Sequence, residues 1–141
     1  MKEYSATTTI NASPEAIWSI LTHAPGYPEW DPNVDRIEGQ IAPGEKITAY
    51  TKLSPGRAFP VKVTEFVPGR KMTWFGGMPL GLFKGERTFT LEPQGNGGVE
   101  FTLREVFSGP LLPLIGRSIP DLTTSFEQFV VGLKNQAESA G

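Results

Sequence analysis

The stretch Ser118-Ile119-Pro120-Asp121-Leu122-Thr123-Thr124-Ser125-Phe126-Glu127-Gln128-Phe129-Val130-Val131-Gly132-Leu133-Lys134-Asn135-Gln136-Ala137-Glu138-Ser139-Ala140 carries the only long helical pattern in the chain. Leu122, Phe126, Phe129, Val130, Leu133 and Ala137 recur at spacings of four, three, one, three and four, which puts all six on one stripe of a helix. Asp121, Thr124, Glu127, Gln128, Lys134, Asn135 and Glu138 fall elsewhere. Such a helix needs a surface to cover. Ser118 stands where an N-cap would, Asp121 falls at the acidic position of a capping box, and Pro120 is tolerable in a first turn, so the helix is expected to begin near residue 118. Burying its large apolar side chains at roughly 1.5 to 3 kcal/mol each contributes on the order of 10 kcal/mol as an upper bound, comparable with the net stability of a small domain. The fold is expected to fail without this element.

The surface it covers is sought upstream. From Val34 to Ser108 the pattern is one of strands, near 34–41, 45–54, 59–67, 71–76, 83–92 and 99–108. Pro43-Gly44, Ser54-Pro55-Gly56, Pro68-Gly69, Gly76 to Gly81 and Gln94 to Gly98 supply the turns between them. Residues 3–10 add a seventh strand, with Tyr4, Ala6, Thr8 and Ile10 on one face. After it, Ser13-Pro14-Glu15 gives a capping serine, a proline at the first helical position and an acid in the first turn, predicting a short helix to about Thr22. Ala24 to Pro32 holds too many breakers for a regular helix, though one turn around Pro28 to Trp30 is compatible with them.

The last two strands alternate most clearly. Phe83, Gly85, Arg87, Phe89 and Leu91 share one face, as do Val99, Phe101, Leu103, Glu105 and Phe107. One covered face and one wet face suit an antiparallel sheet, and the C-terminal helix is the obvious cover. The expected class is α+β, a seven-stranded antiparallel sheet with short helices between its first two strands and a long helix at the end. Residues 1–141 form a single domain in this reading, since the length suits one core that needs no staples.

Composition narrows the function. A net charge of −2 without any run of like charges argues against nucleic acid as the main partner. The absence of cysteine excludes disulfides, thiolate chemistry and sulfur-ligated metals. One histidine, His23, rules out a two-histidine metal site, and it is read as serving the last carbonyls of the first helix. No Gly-x-Ser-x-Gly elbow, phosphate loop or dinucleotide fingerprint occurs, so neither metal nor cofactor is expected. The start of the chain lacks an apolar leader core and no apolar run approaches a membrane span, which predicts a cytoplasmic protein without an integral membrane segment.

Four segments, in this order, resemble the START/SRPBCC superfamily, and within it the polyketide cyclase/dehydrase-like branch. They are Ile10-Asn11-Ala12-Ser13-Pro14-Glu15-Ala16-Ile17-Trp18, Tyr27-Pro28-Glu29-Trp30-Asp31-Pro32, Gly69-Arg70-Lys71-Met72-Thr73-Trp74 and Glu105-Val106-Phe107-Ser108-Gly109. The resemblance covers nearly the whole chain. It implies a helix-grip fold, a curved sheet wrapped around the C-terminal helix with an apolar cavity between them. It implies less about activity, because that fold hosts carriers, receptors, cyclases and chaperone activators.

Chemistry is sought where polar groups enter the apolar face. Arg87 and Glu105 both do so, and a register that sets Leu91 opposite Phe101 makes them direct cross-strand neighbours. An unpaired carboxylate in an apolar cavity would be costly, so an ion pair is expected. Either it is structural, or it anchors the polar end of a ligand, or it serves as the acid/base couple of a cyclisation or dehydration. Trp30, Met72, Trp74, Met78, Phe89, Phe101, Leu103, Phe126 and Phe129 are expected to enclose a ligand together with that pair. The loop Gly76 to Gly81, apolar at Met78 and Leu80, reads either as a lid over a greasy opening or as a plain surface loop.

The leading expectation is binding of a small to medium hydrophobic molecule, such as a lipid, isoprenoid, aromatic or polyketide-like compound. A cyclase or dehydratase using Glu105 and Arg87 is the first alternative. A module that binds a protein partner through its sheet or an exposed edge, with a filled interior and an exposed apolar patch, is the second.

Overall fold

The computed structural model describes residues 1–140. β1 (Lys2–Ile10) leads into α1 (Pro14–Leu21), a 3-10 turn at Ala24–Gly26 and a one-turn α2 (Tyr27–Trp30). Then come β2 (Val34–Glu38), β3 (Lys46–Thr51), β4 (Ala58–Val67), β5 (Lys71–Gly77), β6 (Lys84–Pro93), β7 (Val99–Ser108), α3 (Leu112–Ile115) and α4 (Thr123–Ala140). The strands form one antiparallel sheet in the order β1-β7-β6-β5-β4-β3-β2, curled around α4 as the helix-grip expectation requires. No helix among the described residues is long and apolar enough to cross a membrane.

Local chemistry accounts for the elements. Ser13 Oγ accepts the Ala16 N–H at 3.1 Å and Pro14 opens α1, which buries Ile17 and Leu21. In β1 each residue from Tyr4 to Ile10 on the inner face is at least half-buried while its neighbours are exposed. β2 and β3 are shorter than their expected spans of 34–41 and 45–54. Gly39, at φ +102°, turns the chain out of the ladder directly after Glu38, and a side chain there would press on the Lys46 carbonyl.

The start of the long helix also departs from expectation. α4 begins at Thr123, not near Ser118. The Oδ1 of Asp121 accepts the Thr123 N–H at 2.9 Å, and the Leu122 carbonyl takes the first helical bond from Phe126. Asp121 therefore caps α4, and the backbone of Ser118 lies in a separate 3-10 turn at Gly116–Ser118, closed by the Ile119 N–H on the Gly116 carbonyl. Pro120 lies ahead of the helix, and the short α3 had no periodic signal in the sequence. The stripe itself holds: Leu122, Phe126, Phe129, Val130, Leu133 and Ala137 are all buried.

The C-terminal half of α4 is pinned to the start of the chain. Lys134 Nζ donates to the Thr9 carbonyl at 2.7 Å, and the Asn11 N–H donates to Glu138 at 2.8 Å. At its middle the helix meets α2 so closely that a Cβ on Gly132 would stand 1.9 Å from the Trp30 carbonyl oxygen. Beneath it an aromatic block fills the closed part of the grip. Phe129 stacks on Phe101 at 6.1 Å and meets Trp30 edge-on at 4.9 Å, while Phe89 packs on Trp74 at 4.7 Å.

Candidate functional site

The opposite end of the grip is not filled. A cavity of about 610 Å³ lies between the sheet and the beginning of α4, lined by Leu122 just ahead of the helix and by its Ser125, Phe126 and Phe129, but not by Val130, Leu133 or Ala137. Ile37, Ala49, Val61, Trp74, Leu103 and Phe107 form the sheet wall, and Tyr27, Asp31 and Asn33 close one side. Its mouth is bounded by the β3–β4 turn, the β5–β6 loop and the β7–α4 connection, through Leu53 and Arg57, Met78 and Phe83, and Ile115 and Ile119. The volume falls in the range of small-molecule sites.

Arg87 and Glu105 enter this cavity from adjacent strands. β6 and β7 pair with Leu91 opposite Phe101 and Arg87 opposite Glu105, the register that makes them neighbours. Arg87 Nε donates to Glu105 Oε1 at 2.7 Å, with side-chain exposures of 28% and 15%, so the pair is mostly sheltered yet reachable. The guanidinium also sits 5.1 Å from the Phe126 ring centroid, which links the sheet to the helix through a cation–π contact. A Cβ on Gly85 would press on the Phe107 ring at 3.2 Å and stand 3.5 Å from Glu105 Oε2. The bare backbone there leaves room for both groups.

A second polar corner comes from the connection between α2 and β2. Tyr27 is buried and its hydroxyl donates to the Leu21 carbonyl at 2.6 Å; burial pushes its pKa far up, so it stays a neutral phenol. Asp31 is 4% exposed and accepts the Asn33 N–H at 3.0 Å. Burial pushes its carboxyl pKa up, against the opposing pull of that hydrogen bond and of the Arg87 and Lys52 charges. The sequence reading did not select Tyr27 or Asp31 as site residues. The available signal was Asp31-Pro32-Asn33, a turn in which a carboxylate caps its own backbone and thereby fixes a charge beside aromatic residues.

Of the residues selected from the sequence, Trp74, Met78, Arg87, Leu103, Glu105, Phe126 and Phe129 line the cavity together. Trp30, Met72, Phe89 and Phe101 do not. They are buried in the aromatic block behind it, because α4 lies tight on the sheet there and leaves no space for a ligand. Trp30 instead borders a shallow surface groove with His23, Glu29 and Gln136. Met78 lines the cavity, whereas Leu80 is 96% exposed and does not. Among the described residues, no group of three or more His, Cys, Asp or Glu is placed to hold a metal.

A curled antiparallel sheet gripping a C-terminal helix, with an interior cavity at one end, defines a helix-grip domain of the START type. The family described as "Polyketide cyclase / dehydrase and lipid transport" matches residues 1–138, and the chain belongs to it. No curated protein matches the chain significantly. Among solved structures, a START superfamily protein from Mycobacterium smegmatis shares 18% identity at a TM-score of 0.70, with 99% of each chain covered. The Aha1 dimer from Colwellia psychrerythraea shares 23% identity at a TM-score of 0.72, covering 98% of this chain and 97% of that one. The di-domain ARO/CYC BexL from the BE-7585A biosynthetic pathway shares 15% identity at a TM-score of 0.70, covering 98% of this chain and 47% of that one. At these identities the likeness establishes the fold.

Proposed function

We propose that this protein binds a small to medium hydrophobic molecule, of the lipid, isoprenoid, aromatic or polyketide-like class, in the cavity between the sheet and α4. The observation that carries this reading is the cavity itself, about 610 Å³ with mostly apolar walls and a matched ion pair entering them. A pair that neutralises itself favours a ligand with an uncharged polar end, a carbonyl or hydroxyl, over a free acid or amine. Arg87 donates to such an oxygen and Glu105 accepts from a hydroxyl, while Trp74, Leu103, Phe126 and Phe129 hold the apolar body. The open interior also favours this reading over a protein-interaction module, for which a filled interior would be expected.

The test is native mass spectrometry of the protein purified from its own host, followed by denaturing extraction. An apolar molecule released at near-unit stoichiometry is the expected result. An empty protein that shows no thermal shift with lipids or aromatic polyketides would overturn the proposal.

A second reading is supported by the Glu105 carboxylate, to which, among the described residues, only Arg87 donates a hydrogen bond. One oxygen remains to take a proton from a carbon beside a carbonyl, with Arg87 stabilising the resulting enolate oxygen, as a cyclase or dehydratase requires. Glu105→Gln separates the two. A carrier keeps much of its affinity, whereas an enzyme loses at least about 100-fold in rate.

A further inference from the structure

We propose that the rim of the cavity mouth is a docking surface for an anionic lipid bilayer. The sheet topology brings the β3–β4 turn, the β5–β6 loop and the end of β7 to one edge of the molecule, and all three line the same mouth. Two hydrogen bonds fix the rim. The Met78 N–H donates to the Phe83 carbonyl at 2.7 Å, and the Leu111 N–H donates to the Leu82 carbonyl at 2.9 Å, which ties the β5–β6 loop to the β7–α4 connection.

This rim presents large apolar side chains to water. Leu53 and Met78 line the mouth, Leu80 and Leu82 belong to the β5–β6 loop and Leu114 to α3 in the β7–α4 connection, and all five are exposed, Leu80 at 96% and Leu114 at 70%. Among the described residues, the other exposed large apolar side chains are Val67 and Phe75 on β4 and β5, Val131 on the outer face of α4, and Met1 ahead of β1. Leu80 holds its position in the left-handed backbone region, at φ 63° and ψ 19°, where a leucine is disfavoured. Folding alone gives no return for this, because the side chain touches almost nothing.

Charge selects the occupant. Segments 52–60, 76–84 and 109–120 contain Lys52, Arg57, Lys84 and Arg117 and no acidic residue, in a chain whose acids outnumber its cations by 15 to 13. Outside these segments, Asp31 feels the Lys52 and Arg87 charges, Glu105 pairs with Arg87, Asp121 lies ahead of α4, and exposed Glu86 follows Lys84 on β6. Apolar tips with interspersed cations and no acids match the interface of an anionic bilayer, where the tips enter the acyl boundary and the cations meet phosphate. A protein groove of mixed charge would not impose this sign bias. The docking rests on the rim alone and does not depend on what the cavity holds.

The experiment is flotation of the full chain with vesicles of phosphatidylglycerol in phosphatidylcholine and with phosphatidylcholine alone, at low and high salt. Binding to the anionic vesicles only, weakened by salt, is expected. Leu80→Asp should weaken it roughly ten-fold or more, and Lys52→Glu should do likewise. Val131→Asp, on the outer face of α4, should leave it unchanged; all variants should melt like the parent. No flotation with anionic vesicles overturns the proposal, as does flotation that ignores Leu80→Asp. Self-association removed by Leu80→Asp, without vesicle binding, also overturns it and assigns the rim to a second copy of the chain. Vesicle binding by protein with an empty cavity would leave docking standing even if the ligand proposal fails.

Discussion

Arg87 on β6 and Glu105 on β7 share one ladder position and join at 2.7 Å, with the Phe126 ring of α4 against the guanidinium. Removing either partner leaves a sheltered charge without compensation, whereas removing both does not. Glu105→Leu is expected to cost about 1–3 kcal/mol, less than for a fully buried pair because Arg87 remains 28% exposed. The double variant Arg87→Met/Glu105→Leu should recover most of that loss. Urea unfolding of the two singles and the double checks it, and additive losses would mean that the pair does not act as a unit.

Gly132 sets how closely α4 approaches α2. A methyl group there would meet the Trp30 carbonyl oxygen at 1.9 Å, a backbone atom that cannot rotate away. Gly132→Ala should therefore destabilise by about 3 kcal/mol or more, despite alanine's better helix propensity. Gly116→Ala is the control, since its Cβ would make only ordinary contact with Leu112 at 3.4 Å. A Gly132→Ala protein that melts at the parental temperature would show that the helix can stand off from α2.

Much of this architecture was legible because strands and amphipathic helices announce themselves by period. The α4 stripe and the alternation of β6 and β7 both have one buried face, so pattern and burial coincide, and the Arg87–Glu105 register followed from that alternation. The start of α4 was harder. Ser118 and Asp121 offer similar capping chemistry, and the choice rests on the path of the β7–α4 connection, a tertiary matter. The cavity wall was only half legible. Phe89 and Phe101 share the inner face with Arg87, Leu103 and Glu105, and sequence cannot tell where along that face α4 lies close enough to fill the space. That depends on Gly132 and on the Lys134 and Glu138 tethers, whose partners are remote in sequence.

Asp31 makes stability depend on pH. Burial raises its pKa above the ordinary value of 3.8, so the folded state holds this proton more tightly than the unfolded chain does. Stability from this group is therefore fully present below 3.8 and falls as pH rises through the folded-state pKa. Asp31→Asn keeps an oxygen for the Asn33 N–H and cannot ionise. It should raise the melting temperature at neutral pH and flatten that part of the pH profile. A variant less stable than the parent at neutral pH would mean that the charged form is favoured, through Arg87 or Lys52.

Ser125 tests whether the cavity is the ligand site without touching the ion pair. It lies on the cavity side of the first turns of α4, half-buried, with its hydroxyl donating to the Leu122 carbonyl just ahead of the helix. Ser125→Leu removes that local bond, which competes with the helix, and puts apolar volume into space the fold leaves open. Stability of the ligand-free protein should rise by about 0.5–1 kcal/mol, as cavity filling does elsewhere. Any thermal shift produced by an apolar ligand should shrink or vanish, because the same volume is no longer available to it. A stabilised protein that still binds with parental affinity would place the ligand outside this cavity, while a destabilised one would mean that the space near Ser125 is too narrow for an isobutyl group.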